Sequence, residues 1–95
     1  MPKEFSEAVK KLQSAGFKQG KICNTGLYKT VNYSGITKDG CELNLYISYN
    51  DIAIRTEGFL TRPNGISSKV YDINGIQGLH TVIDQSKRNL IPRRK

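Results

Sequence analysis

The sequence predicts an α+β domain: one helix, three or four antiparallel strands and a second helix, with both helices on one face of the sheet. Two patterns predict it. Apolar residues recur at three- and four-residue spacing near both ends of the chain, the mark of amphipathic helices. Between those ends they alternate with polar residues, and Gly, Pro and Asn punctuate the blocks. Helices with one apolar stripe and a sheet with one apolar face bury most by packing together, which leaves the other sheet face open to solvent.

The first helix is expected over residues 3 to 15, where Phe5, Ala8, Val9, Leu12 and Ala15 form the stripe and Gly16 is the natural stop. Phe17 folds back on the helix end as an anchor. Lys18 to Gly26 reads as a glycine-punctuated linker with a short strand near Lys21 to Cys23, returning through Asn24-Thr25-Gly26. The centre of the domain is Leu27 to Glu57, read as three strands. Lys38-Asp39-Gly40 is hairpin chemistry, and with Gly40 as a bulge residue Thr37 meets Cys41, Val31 faces Ile47 and Tyr33 faces Leu45. A second turn through Ser48 to Asp51 then sets Ile52 opposite Ile47 and Ile54 opposite Leu45.

Gly58 to Gly65 breaks the pattern and reads as a loop with Arg62 at its tip. Ile66 to Ile73 is a fourth, weakly alternating strand, placed at an edge where a second copy could pair to give a homodimer. Asn74 is the expected cap of the last helix, with Gln77 as its capping-box partner. Ile76, Leu79, Val82, Ile83 and Leu90 form that helix's stripe, which Gly78 interrupts. Residues 1–92 thus make a single small domain, and Arg93, Arg94 and Lys95 a basic tail after Pro92.

Composition limits the function. Fifteen Lys and Arg against eight Asp and Glu give a formal charge of +7, so the chain attracts polyanions. No apolar run is long enough for a membrane span, and Met1-Pro2-Lys3-Glu4 carries no apolar secretory segment, which sets the expectation at the cytoplasm. Cys23 and Cys41 are expected as free thiols. No catalytic set, metal-ligand spacing or nucleotide loop can be read, so neither enzyme activity nor a cofactor or metal is expected; His80, the single histidine, lies beside Leu79 and Ile83.

The order of elements resembles the double-stranded-RNA-binding domain and the small toxin ribonucleases of the HicA family. That resemblance covers order alone. Asn74 to Asp84 carries no Lys or Arg where the RNA-binding domain has its basic cluster, and the glycine-serine-histidine stretch of the toxins is missing.

The open sheet face is expected to show Tyr28, Tyr46 and Arg55, extended by Lys69 and Tyr71 from the fourth strand. Tyrosines beside cations suit the stacking of bases and the holding of phosphates. Arg62, Lys87, Arg88, Arg93, Arg94 and Lys95 are the remaining candidate contacts. The leading expectation is a non-enzymatic protein that binds single-stranded DNA or RNA. The alternative is a protein-interaction module or inhibitor that binds an acidic surface of a larger protein, since Tyr and Arg also dominate such interfaces.

Overall fold

The computed structural model describes residues 3–90. Its elements are α1 (Lys3–Ala15), β1 (Lys18–Asn24), β2 (Lys29–Ile36), β3 (Glu42–Tyr49), β4 (Ile54–Thr61), β5 (Ser67–Asn74) and α2 (Ile76–Lys87). The five strands form one antiparallel meander in the order β1-β2-β3-β4-β5. The α+β class stands, but the sheet has five strands. The presumed linker after Phe17 pairs along β2 from Lys18 to Asn24, and β4 runs on through Gly58 to Thr61.

The first central hairpin has the expected register, Val31 against Ile47 and Tyr33 against Leu45. Gly40 takes a φ of 87° there, a backbone region that favours glycine. The second hairpin does not. Its loop is Asn50 to Ala53, because the Asn50 side-chain oxygen accepts the amides of Ile52 and Ala53, both at 2.8 Å. Tyr49 therefore stays in β3 opposite Ile54, and its ring stacks on Phe5 with centroids 4.2 Å apart. Thr56 and Gly58 take the places opposite Ile47 and Leu45, while Ile52 stands at the loop tip, 93% exposed.

The core lies between this sheet and the helices. α1 contributes Phe5, Ala8 and Leu12, and α2 contributes Leu79, Val82 and Ile83, against Val31, Tyr33, Leu43, Leu45 and Ile47. Each large aliphatic side chain buried there contributes about 1.5–3 kcal/mol. Burial, and then the Tyr49 phenol, hold the Tyr33 hydroxyl above its ordinary pKa. Gly58 leaves room for the Tyr71 ring, and Gly78 lets α2 approach β5, for a Cβ at either would come within 2.6 Å of Tyr71 or Ile73. Gly78 is thus a packing residue rather than a flaw in the stripe.

Asn74 is not the helix cap. It remains in β5 opposite Arg55, and Gly75 turns the chain into α2 with no side-chain cap hydrogen bond. Across the helix pair, the Lys11 ammonium reaches Asp84 at 3.2 Å and donates to Nδ1 of His80 at 3.1 Å. The lone histidine is thereby accounted for as part of the contact between α1 and α2.

Candidate functional site

The sheet face turned away from the helices is built by strand alternation. Residues paired with outward-facing partners include Thr30, Asn32 and Ile36 on β2, Glu42, Asn44, Tyr46 and Ser48 on β3, Arg55, Glu57 and Phe59 on β4, and Lys69, Asp72 and Asn74 on β5. Along β2 and β3 the polar groups satisfy one another. Thr30 and Ser48 hydroxyls lie 2.9 Å apart, and the Asn32 amide donates to Asn44 at 3.3 Å and to the Leu45 carbonyl at 3.2 Å.

At the centre of this face, Tyr46 meets Phe59 edge to face, with ring centroids 5.8 Å apart. Tyr46 is 40% exposed. The Lys69 ammonium lies 5.9 Å from the Phe59 ring centre, so the aromatic pair borders directly on the charged groups. At one end, Tyr28, Thr30, Ser48, Ile52, Arg55 and Asn74 line part of a groove of about 670 Å³. Two turns meet here, because the Asn50 amide donates to the Leu27 carbonyl at 3.3 Å. They carry Leu27 and Ile52 into solvent beside Tyr28.

The two cations expected on this face are present, and both are taken. The Arg55 guanidinium reaches Asp72 at 3.2 Å, and Lys69 reaches Glu57 at 2.9 Å and Asp72 at 3.2 Å. Hydrogen bonds from Lys69, then from Arg55, lower the pKa of Asp72; the bond to Glu57, then that to Asp72, raise that of Lys69. Two cations and two carboxylates cancel. The cations without an ion pair among the described residues include Lys18 and Lys21 on β1 and Lys29 at the start of β2, all exposed.

The sequence-predicted residues do not converge on one surface. Tyr28, Tyr46, Arg55 and Lys69 share the outer face. Tyr71 does not: the ladder between β4 and β5 shifts register between Gly58 and Phe59, Val70 is the extra residue, and Tyr71 turns inward to pack against Gly58 and Leu45. Its hydroxyl lies 3.5 Å from that of buried Ser86. Arg62 stands at the turn between β4 and β5, where it helps keep the Asp39 carboxyl below its usual pKa after the larger effect of the Thr37 hydroxyl hydrogen bond. Lys87 and Arg88 belong to the helix layer on the opposite side of the sheet, Lys87 within 3.8 Å of Asp84. Arg93, Arg94 and Lys95 lie outside the described residues.

Sequence reasoning missed Glu57, Phe59 and Asp72. Alternation from Arg55 already carries Glu57 onto this face, whereas Phe59 joins it because β4 continues past Gly58 and Asp72 because β5 carries its bulge; the single signal for the extension was the Gly58-Phe59-Leu60-Thr61 run, whose glycine read as a break. Cys23 is exposed on β1 and Cys41 is buried beyond the other end of β2, both as free thiols. Among the described residues no three His, Cys, Asp or Glu side chains gather to hold a metal, and no helix is long and apolar enough to cross a membrane. Compared with known families, curated proteins and solved structures, the chain matches none.

Proposed function

We infer that this chain is a small protein-interaction module that binds a partner through its open sheet face. The observation that carries the reading is the cancellation of Arg55 and Lys69 by Glu57 and Asp72. A face meant for phosphates needs cations free to meet them, whereas aromatic anchors in a neutral, hydrogen-bonded setting suit the centre of a protein interface. Tyr46 and Phe59 are the central anchors. Tyr28, Leu27 and Ile52 extend the apolar contact at the groove end, and exposed apolar residues within a polar rim are a recurrent sign of protein contact. Lys18, which pairs with outward-facing Ser34, and Lys21 beside it on β1 favour a partner whose rim is acidic.

Nucleic-acid binding is the second reading, and the same two lysines favour it. They lie to one side of the stacking groups, so a strand bound there would cross β1 to reach Tyr46. One experiment separates the readings: titration of fluorescent single-stranded DNA, RNA and duplex at two salt concentrations, with wild type and Tyr46→Ala. The expected result is weak binding that disappears at physiological salt and is unchanged in the variant. Binding that persists there and weakens by about 1–3 kcal/mol in Tyr46→Ala would overturn the protein-interface reading in favour of base stacking. In the producing cell, a photo-crosslinking residue at position 46 should then trap one acidic protein, and Phe59→Ala should abolish the adduct.

A further inference from the structure

The sheet has two free edges, and their chemistry differs. β1 carries Lys18 and Lys21, Lys29 stands on the adjoining strand, and the pairing of β1 is interrupted between Gln19 and Ile22. Two copies meeting there would set lysine near lysine, which is how edges are commonly kept from pairing. β5 holds one cation and one anion, Lys69 and Asp72, and so sums to zero in a chain of charge +7. Ile66 before it and Val70 and Ile73 within it are 63%, 44% and 36% exposed. We propose that β5 pairs antiparallel with β5 of a second copy, about a twofold axis at Tyr71, so that two sheets become one.

The register follows from the bulge. Ser67, Lys69, Asp72 and Asn74 pair with outward-facing residues of β4, while Ser68, Tyr71 and Ile73 face the helix side and Val70 is extra. With Val70 set aside, Tyr71 is the midpoint of the strand. Reversing the strand on itself places Lys69 opposite Asp72, Ser68 opposite Ile73 and Ser67 opposite Asn74, every pair on a common face. Without the bulge, Lys69 and Asp72 would project from opposite faces and could not meet. The contact is isologous, so the Lys–Asp pair occurs twice and joins the two four-ion networks across the seam. On the helix side, Ile73 of each copy would cover the end of β5 that leads to a cleft of about 460 Å³ lined by Leu43, Leu60, Val70 and Tyr71.

Sedimentation equilibrium of the full chain tests this with a charge swap. Lys69→Asp sets aspartate against aspartate at both seams, and Asp72→Lys sets lysine against lysine. An equal mixture restores attraction, because each residue 69 then faces a residue 72 of opposite sign. Wild type should sediment at twice the chain mass of 10.7 kDa at micromolar concentration. Each variant alone should bind itself at least about tenfold more weakly, and the mixture should return to the dimer. Circular dichroism of each variant checks that it is folded, which the exposure of both side chains favours. A monomeric wild type, variants that dimerise unchanged, or folded variants whose mixture stays monomeric would each overturn the proposal.

Discussion

β3 and the two edge strands belong to one sheet and live in different environments. β3 alternates buried and exposed positions along its whole length, with Leu43, Leu45, Ile47 and Tyr49 all buried, whereas no residue of β1 or β5 is buried. Position in the sheet makes the difference. A central strand has neighbours on both sides and helices over its inner face, while an edge has a neighbour on one side only and leaves half its backbone groups unpaired. Stability is therefore concentrated on the inner face of the central strands.

The widest test of that contrast is Leu45→Ala. Leu45 is fully buried, so its truncation removes transfer energy and leaves a cavity, and a loss of about 2–5 kcal/mol is expected in urea unfolding. Gly58→Ala probes how tightly edge and centre are joined. The added carbon would fall 2.6 Å from the Tyr71 ring and 3.1 Å from Leu45, and overpacking of this kind costs about 1–3 kcal/mol. An unchanged unfolding midpoint would mean that β5 moves away freely. The penalty at Gly78→Ala should be smaller, because the alanine recovers about 1 kcal/mol of helix propensity while it crowds Ile73.

Acid should act on the periphery first. Asp39, Asp72 and Asp84 all have lowered pKa values, through Thr37, through Lys69 and Arg55, and through Lys11 respectively. A carboxylate whose folded pKa lies below its unfolded value of 3.8 stabilises the fold above that pH. The stabilisation is lost as pH falls through the lower, folded value. Urea midpoints should accordingly drop as the pH falls below about 4, and Asp84→Asn should flatten part of that slope; because the pairs are exposed, added salt should flatten it further. A profile that Asp84→Asn leaves unaltered would mean that Lys11 does not hold α2 through this carboxylate.

The centre of the molecule was legible in the sequence because its signals are local. Asp39-Gly40 fixed the first hairpin, and the alternation of Val31, Tyr33, Leu43, Leu45 and Ile47 identified the inner face. The failures came where a side chain or one inserted residue overrode the pattern. Asn50 moved the second turn by capping two amides, and the Val70 bulge reversed the side on which Tyr71 projects. Glu57 keeps the outward side that alternation from Arg55 gives it, Phe59 joins the face once β4 is extended, and once β5 is bulged Asp72 stands beside Lys69. A surface that read as tyrosines with cations is consequently a neutral ion lattice around an aromatic pair.

The smallest effect expected is also the one that sharpens the contrast most. Ile22 pairs with Val31 and so points to the helix side of the sheet, yet it is 59% exposed, because the helices do not extend over that part of β1. Ile22→Ser should shift the unfolding free energy by no more than about 0.5 kcal/mol, as for surface positions in general. The same change at Val31, one strand inward and 3% exposed, should cost several times as much. If Ile22→Ser costs more than about 1 kcal/mol, β1 is covered in solution, and the guarded edge with its lysines belongs to an interface after all. If it costs nothing in isolation but weakens capture of a partner at position 46, then β1 lies at the rim of that interface, which would tie the unpaired lysines to the aromatic pair.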